Sequence, residues 1–307
     1  MDKVFLDTLK HPEVFYELKG KSYCNKSIGN ISWLKTGGSA EYLYIPKDEK
    51  DLSLILESLR EDVDLNIFGK LSNILVRDGG LKGLSIIIPQ SFGDIKILSD
   101  TKLMVGAGIT DKILSQKCLN LGIGGMEFLF GIPGTLGGGI FMNAGCFGSE
   151  FKDIVTEVNF LTKSGKKINK KNKEIEFSYR KSNIPRDFII TSAIVEGFFK
   201  NQDEINKLMD EVNLKRVSTQ PQGYPTGGST FKNTTNNKAW KLINSSGMSK
   251  AFFGDAMVSN IHSNFLVNKG NASANDFETL GNMIIDKVKS ESGITLEWEI
   301  HIVGGNE

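Results

Sequence analysis

The sequence predicts an α+β protein built from three successive blocks, residues 1–90, 91–200 and 201–307. Three observations support this division. The first block places a helical pattern between strand patterns, the second consists mainly of strand patterns separated by turns, and the third sets helical patterns beside further strands. A chain of 307 residues is long enough for two or three domains.

The composition is that of a globular protein with balanced charge. Hydrophobic residues make up 39% of the chain, charged residues 24%, and the formal net charge is +1. A near-neutral charge gives no field that would attract nucleic acid or an anionic membrane, so we expect neither as a partner. No apolar run reaches about 18 residues, and the first residues lack the apolar segment of a signal peptide. We therefore expect a cytoplasmic protein without membrane insertion.

Cysteine and histidine are scarce. The cysteines are odd in number and widely spaced, which fits a reducing compartment and argues against a disulfide framework. So few histidines argue against a metal site or a histidine-based triad, so acid–base chemistry is expected from other side chains or a cofactor. These residues are Cys24, Cys118, Cys146, His11, His262 and His301.

The first block is predicted to contain a βαβ unit. Residues 41–46 alternate like a strand, and Asp48 is placed to cap a helix. Apolar residues then recur at the i, i+3, i+4, i+7 spacing of one helix face, at Leu52, Ile55, Leu56 and Leu59. Strand patterns follow at residues 65–68, 74–76 and 84–88.

The second block reads as antiparallel β structure with few helices. Its helix is predicted between Thr110, a capping residue, and Gly122, which is placed to end it. The strand patterns lie at residues 95–98, 102–107, 154–162, 174–179 and 188–199.

The third block combines helices with a long alternating segment. Asn201 and Ser273 are placed to cap two helices, and Asp276 completes a capping-box pattern with Ser273. Residues 294–302 alternate strictly between apolar side chains and the polar side chains of Thr295, Glu297, Glu299 and His301, which predicts a strand with one solvated face.

Two glycine-rich stretches are candidates for binding a nucleotide. Residues 131–145 read as a loop running into a short helix, whose free N–H groups would hold a phosphate or pyrophosphate. A tight structural crossing is the alternative. Residues 69–73 form a turn in which Ser72 and Asn73 suit a phosphate or ribose, or simply satisfy their own backbone. Together the two stretches could hold one dinucleotide from both sides, although neither is a Rossmann or Walker motif.

Three side chains are candidates for chemistry, each with an ordinary structural alternative. Arg180 ends a predicted strand, where it could clamp a carboxylate or simply face solvent. Ser229 follows two glycines and presents a hydroxyl on a flexible turn, or belongs to a plain glycine–serine loop. Glu299 lies on the polar face of the last strand, and the ordinary interpretation of such a residue is that it faces solvent.

Taken together, these segments resemble the motifs of one family, and they occur in the same order along the chain. The matching residues are 69–76, 131–145, 179–182, 220–221, 228–233, 262–265, 296–300 and Gly304. The chain resembles the UDP-N-acetylenolpyruvoylglucosamine reductases, flavoenzymes that complete UDP-N-acetylmuramate for peptidoglycan synthesis. Leu71 departs from the pattern because a glycine is usual there.

The resemblance implies a two-part FAD-binding domain of the vanillyl-alcohol-oxidase type in the first two blocks and a substrate-binding domain in the third. We expect non-covalent FAD, because no histidine lies in either glycine stretch. The implied FAD contacts are Gly69, Ser72, Asn73, Gly131, Ile132, Pro133, Gly134, Thr135, Gly137 and Gly138. The candidates for substrate contact are Tyr179, Tyr224, Lys232 and Asn233.

The resemblance also implies the reaction, with NADPH as co-substrate and a nucleotide sugar as substrate. Arg180 and Glu299 would stabilise an enolate-like intermediate, and Ser229 would supply a proton. We expect a monomer of the shorter subtype, which lacks an extra loop that closes over the nucleotide. A flavin oxidase of the same fold and a non-catalytic nucleotide-sugar binding protein remain alternatives.

Overall fold

The computed structural model describes residues 6–306, and the chain divides into two compact units. The first unit comprises Met1–Cys24, Tyr42–Lys70 and Gly83–Lys215, and the second comprises Asn25–Glu41, Leu71–Lys82 and Arg216–Glu307. Residues 1–5, on which the signal-peptide argument partly depends, lie outside the described residues. No helix within residues 6–306 is long and apolar enough to cross a membrane.

One or more strands separate each α-helix from the next along the chain. The α-helices are α1 (Glu49–Ser58), α2 (Asp111–Leu121), α3 (Leu136–Met142), α4 (Gln202–Thr219), α5 (Ala239–Ser245) and α6 (Ala274–Ser292). The strands are β1 (Lys21–Ser27), β2 (Ser39–Ile45), β3 (Leu65–Phe68), β4 (Ile74–Val76), β5 (Leu81–Ile87), β6 (Ile95–Ile97), β7 (Lys102–Gly106), β8 (Ile123–Gly124), β9 (Gly145–Cys146), β10 (Ser149–Glu150), β11 (Val155–Thr162), β12 (Lys167–Lys171), β13 (Phe188–Glu196), β14 (Phe198–Phe199), β15 (Thr226–Ser229), β16 (Phe252–Phe253), β17 (Ala256–Val258), β18 (Phe265–Asn268) and β19 (His301–Val303).

The first unit contains the predicted parallel and antiparallel parts. Helix α1 lies in the chain between β2 and β3 of a sheet with strand order β1-β2-β5-β3, and β3 pairs in parallel with β5. Strands from the second block form an antiparallel sheet with strand order β12-β11-β13-β7-β6. The predicted strand–helix–strand order in one sheet and the predicted antiparallel sheet are both confirmed.

Two helices of the first unit start after the capping residues that the sequence indicates, and one ends at the predicted glycine. The Asp48 side chain accepts a hydrogen bond from the N–H of Asp51 at the start of α1, and Thr110 accepts one from Ile113 at the start of α2. Gly122, at φ +68°, ends α2 in the left-handed conformation that glycine adopts without strain. These caps fix where each helix starts on the apolar core of the first unit.

The second unit is a four-stranded antiparallel sheet, β15-β18-β17-β16, with helices and a separate strand pair. Its capping box at the start of α6 is confirmed, since Ser273 accepts from the N–H of Asp276 and Asp276 accepts in return. Strands β4 and β19 pair in parallel. The fully buried members of its core include Phe231, Phe277 and Ile284.

Two predicted strands are wrong or shorter than expected. Residues 174–179 form no strand, because a 3-10 helix at Asn172–Glu174 turns the chain and the Asn172 amide donates to the carbonyls of Lys152 and Val155. In the segment 294–302, only residues 301–302, the start of β19, form a strand, and less exposed residues alternate with exposed ones only over residues 294–297.

Candidate functional site

The two glycine-rich stretches approach each other within the first unit. A β-carbon on Gly69 would collide with the hydroxyl of Thr135, so a larger residue would push the two stretches apart. Thr135 is buried and precedes α3. The turn after β3 and the start of α3 are thus neighbours, as the pairing of two glycine stretches predicts.

The start of α3 is only partly available to a ligand. The N–H groups of Leu136 and Gly137 donate to the carbonyls of Ile109 and Ala107, each at 3.0 Å. The prediction that these helix N–H groups are free is therefore wrong for two of them, because they fasten the loop to the chain just after β7. Within residues 6–306, the N–H of exposed Gly138 has no acceptor.

These groups fit the phosphate part of a dinucleotide such as FAD. A β-carbon on Gly138 would meet only the Thr135 hydroxyl within 4 Å, at 3.6 Å, so its backbone is open to close approach. Asp111, whose N–H donates to Gly134 at 3.3 Å, is fully buried. Burial holds the pKa of the Asp111 carboxyl well above its ordinary value, although the Lys70 charge opposes this, and so favours the neutral acid beside the loop.

The remainder of the first turn belongs to the second unit. Leu71 is buried and has φ +53°, so it adopts the conformation that the usual glycine would take without strain. Its carbonyl accepts a hydrogen bond from the N–H of Trp33. Leu71 therefore takes a left-handed conformation that costs a residue with a β-carbon some strain and that glycine adopts freely.

Asn73 is bound to the segment that carries Glu299. Its side-chain amide donates to the carbonyl of Glu299 at 3.0 Å, and its own carbonyl accepts from the N–H of His301 at 3.0 Å. The parallel pairing of β4 with β19 continues this contact. A residue predicted for the cofactor and a residue predicted for catalysis are therefore directly connected within the second unit.

Arg180 lies in a tight turn, and its predicted position at a strand end is wrong. Ser178 and Lys181 bond each other across the turn, and Arg180 has φ +54°. The guanidinium donates to the carbonyl of Gly145 and lies 4.9 Å from the ring centre of Tyr179, which is 46% exposed. The arginine is thus held against the end of the glycine-rich stretch.

Asn143 supports this turn and was not singled out from the sequence. It is fully buried, donates to the carbonyl of Ser178 at 2.9 Å and accepts from the N–H of Lys152 at 2.9 Å. Its φ of +44° places it in the left-handed region, which asparagine tolerates better than most residues. The sequence does show an asparagine just after a predicted short helix. Its hydrogen-bond partner Ser178 lies 35 residues further on, so the sequence pattern does not reveal the contact.

Ser229 lies at the end of a paired strand, which corrects the prediction of a flexible turn. It pairs with Phe265, and the register shifts between Thr226 and Ser229. Within this bulge Gly228 has φ +84°. A β-carbon on buried Gly227 would lie 2.9 Å from the Cδ1 atom of Ile300, so glycine lets β15 approach the segment that includes Glu299.

Glu299 differs from the other acid on its predicted face. It is half-buried, and its N–H donates to the carbonyl of Thr230 at 2.8 Å. Glu297 is exposed and pairs with Lys232 at 3.4 Å. The solvated-face reading therefore describes Glu297, whereas Glu299 is held beside the strand of Ser229.

The remaining substrate candidates lie on both sides of Ser229 in the sequence. Tyr224 is 53% exposed, and Lys232 is half-buried. The Asn233 side-chain oxygen accepts from the N–H of Ala239 at the start of α5, so part of this amide has a structural partner.

The predicted site residues are distributed over both units. The first unit contains Gly69, Gly131, Ile132, Pro133, Gly134, Thr135, Gly137, Gly138, Tyr179 and Arg180. The second contains Ser72, Asn73, Tyr224, Ser229, Lys232, Asn233 and Glu299.

Comparison with known proteins decides the family. Residues 40–169 match a model described as FAD binding domain, and residues 220–303 match the model of the UDP-N-acetylenolpyruvoylglucosamine reductase C-terminal domain. The chain is 41% identical over 287 residues to a protein of Rickettsia bellii named UDP-N-acetylenolpyruvoylglucosamine reductase, covering 94% of this chain and 95% of that protein. This chain belongs to the UDP-N-acetylenolpyruvoylglucosamine reductase family.

Other reductases of this family agree along nearly the whole chain. The protein of the same name from Orientia tsutsugamushi is 41% identical over 291 residues, covering 94% of this chain and 96% of that protein. The crystal structure of the Thermus caldophilus reductase superposes with a TM-score of 0.80 at 29% identity, covering 94% of this chain and all of that one. The expected α+β class, with an FAD-binding domain followed by the reductase C-terminal domain, is confirmed.

Proposed function

We propose that this protein is an NADPH- and FAD-dependent reductase that converts UDP-N-acetylglucosamine enolpyruvate to UDP-N-acetylmuramate in peptidoglycan biosynthesis. The observation that carries the proposal is the 41% identity to reductases of this name over 94% of the chain. The motif resemblance that assigns Arg180, Ser229 and Glu299 to catalysis supports it further.

When bound, FAD would supply hydride transfer between NADPH and the enolpyruvyl CH₂ carbon, which is chemistry that no protein side chain provides. The two glycine stretches would bind its pyrophosphate. Thr135 offers a hydroxyl, Gly138 an N–H, and Gly69 the close approach that brings the stretches together. Ser72 and Asn73 would complete the contacts from the same turn.

Arg180 is proposed to bind the carboxylate of the substrate. Addition of hydride to the CH₂ carbon leaves negative charge on the neighbouring carbon and on the carboxylate. A guanidinium donates to both carboxylate oxygens and stabilises that charge as it develops. One of its acceptors, the Gly145 carbonyl, is a neutral group, and a carboxylate would be a stronger partner than that carbonyl.

Ser229 and Glu299 are proposed to complete the reaction. The Ser229 hydroxyl would give its proton to the carbon next to the carboxylate, forming the lactyl ether. Glu299 would stabilise the enolate-like intermediate. Their backbones lie on connected segments, since Glu299 bonds the carbonyl of Thr230, the residue after Ser229.

Four further expectations stand as parts of this proposal. Tyr179, Tyr224, Lys232 and Asn233 would contact the nucleotide sugar. FAD-binding subdomains would occupy residues 1–90 and 91–200, with the substrate-binding domain at 201–307. The protein would act in the cytoplasm as a monomer. The short connection from Arg180 to Phe188 at the start of β13 supports the shorter subtype.

A visible spectrum followed through one cycle tests the proposal. The purified protein should show flavin absorbance that bleaches with NADPH under anaerobic conditions and recovers when the enolpyruvyl substrate is added. Rapid recovery with oxygen and none with substrate would instead indicate an oxidase. A colourless protein that binds the nucleotide sugar would indicate a non-catalytic binding protein.

A further inference from the structure

The geometry points to Asn264 as a positioning residue that holds Ser229 and Glu299 in a fixed register. This inference rests on the proposed function, because it assigns a task within the same reaction. Asn264 lies just before β18, and only 3% of it is exposed. It does not reach either side chain itself, but acts through the backbone between them.

Asn264 binds the two residues that follow Ser229. Its Oδ1 accepts from the N–H of Phe231 at 3.0 Å, and its Nδ2 donates to the carbonyl of Phe231 at 2.8 Å. Its own carbonyl accepts from the N–H of Thr230 at 2.8 Å. Thr230 and Phe231 are fully buried, so water does not compete for these groups.

The same short segment is fastened on the side of Ser229. The Thr230 hydroxyl accepts from the N–H of Leu266 at 3.1 Å, and Ser229 pairs with Phe265. Ser229 therefore precedes a residue that is held by both its backbone and its side chain. Because β15 is bonded to β18 on this side, Ser229 cannot slide along its partner strand without breaking these bonds.

The segment is also fastened to Glu299. The Thr230 carbonyl accepts from the N–H of Glu299 at 2.8 Å, and Phe231 forms a bridge with Trp298. The Phe231 and Trp298 rings pack with centroids 5.1 Å apart. Thr230 and Phe231 are thus shared by the two catalytic segments, and Asn264 fixes the shared part.

The amide is chemically suited to this task. Asparagine has one acceptor and one donor in a single plane, which matches the N–H and carbonyl of one residue. Aspartate keeps the acceptor but loses the donor, so the Phe231 carbonyl would face a carboxyl oxygen in a buried place. A displacement of about 1 Å costs on the order of 100-fold in a reaction that depends on orientation.

Asn268 offers a matched control in the same unit. It is 2% exposed, its Nδ2 donates to the carbonyl of Leu34 at 3.0 Å, and its Oδ1 accepts from the N–H groups of Gly270 and Ala272. Asn268→Asp therefore also removes one buried donor from an amide that binds backbone, but at a place that carries no predicted site residue.

The experiment compares Asn264→Asp with Asn268→Asp in flavin-loaded protein. We expect both to lower the melting temperature, and both to keep the wild-type rate of flavin reduction by NADPH per bound flavin. Only Asn264→Asp should slow reoxidation by the enolpyruvyl substrate, by about 10- to 100-fold, with kcat changed more than KM. Thr230→Val, which loses the bond from Leu266, should show the same selective loss and replaces Asn264→Asp if that variant does not fold.

The outcomes separate this inference from the proposed function. Equal reoxidation rates in the two aspartate variants, or equal losses in both half-reactions of Asn264→Asp, would overturn the positioning role. If the variant does not fold, an unaltered reoxidation rate in Thr230→Val would overturn it. A wild-type protein that the substrate fails to reoxidise would instead overturn the proposed function.

Discussion

The backbone that carries Arg180 differs from the backbone that carries Ser229 and Glu299. Arg180 occupies a left-handed turn beside the exposed ring of Tyr179. Ser229 and Glu299 adjoin Thr230 and Trp298, and Thr230 is fully buried between paired segments. A turn on the surface can change its path at little cost in free energy. A buried segment cannot, because moving it would break hydrogen bonds that water does not replace.

The difference agrees with what each side chain is proposed to do. Attraction between a guanidinium and a carboxylate decreases gradually with distance, so it tolerates some movement of Arg180. Proton transfer requires a hydrogen-bond distance of about 2.6–3.2 Å, so it tolerates little movement of Ser229. The more rigid backbone therefore carries the group whose position matters most.

The largest effect is expected from removing the hydroxyl on the rigid backbone. Ser229→Ala should leave flavin reduction by NADPH nearly intact and slow reoxidation by substrate by about 100-fold or more, because the variant lacks the hydroxyl proposed to give the proton. Stopped-flow flavin absorbance measures both steps. Thr235→Ala, at an exposed position, serves as the control. An unchanged reoxidation rate would rule Ser229 out as the proton donor.

A smaller effect is expected from loosening the turn of Arg180. Asn143→Gly keeps the left-handed backbone but removes the bonds to Ser178 and Lys152. The variant should be less stable by about 1–3 kcal/mol, because the buried Asn143 side chain and its two hydrogen bonds are lost. We expect KM for the enolpyruvyl substrate to rise about 10-fold, the effect of roughly 1.4 kcal/mol of binding, with kcat changed less.

Steady-state kinetics at low temperature, where both proteins are folded, measure this change. Asn159→Ala is the matched control, because it removes bonds to Ser192 and Asn169 within the antiparallel sheet and involves no residue of the turn. If Asn143→Gly lowers kcat as strongly as Ser229→Ala does, catalysis depends on the position of Arg180 as strictly as on that of Ser229. That result would contradict the proposed difference between the two backbones.

The smallest effect concerns the stability of the loop before α3. The pKa of Asp111 is raised in the folded protein, so the folded state binds the proton more tightly than the unfolded chain does. The free energy of unfolding should therefore fall as the pH rises from about 4 towards the folded pKa. Asp111→Asn does not titrate, so its free energy of unfolding should fall less than that of wild type over the same pH range.

Urea unfolding at pH 5 and pH 8 tests this expectation. Ser115→Ala is the control, since its hydroxyl is likewise buried without a partner within residues 6–306 but carries no charge. Parallel pH profiles for wild type and Asp111→Asn would show that Asp111 does not titrate differently in the folded state.

The sequence predicts the fold well where a local signal defines each element. Asp48, Thr110 and Ser273 begin helices as expected, because capping depends on neighbours within three residues. The strand expected at residues 174–179 is absent because distant carbonyls bind the Asn172 side chain. An apolar pattern does not reveal such a contact.

The candidate site is predicted in its residue types but not in its supports. Arg180, Ser229 and Glu299 were identified from the sequence, and they remain predictions as catalytic groups. Asn143 and Asn264 were not singled out for their supporting roles, because each binds backbone more than thirty positions away. The left-handed conformation of Arg180 was also missed, since arginine has no intrinsic preference for it.

The pairing of β4 with β19 has a consequence for how the protein is made. Ser72 and Asn73 leave the ribosome early, but the strand that follows them acquires its partner only after His301–Val303 has been synthesised. The turn proposed for FAD therefore reaches its final form only after residues 301–303 have been synthesised. A nascent chain stopped before β19 would lack this strand pair and the contact between His301 and Asn73.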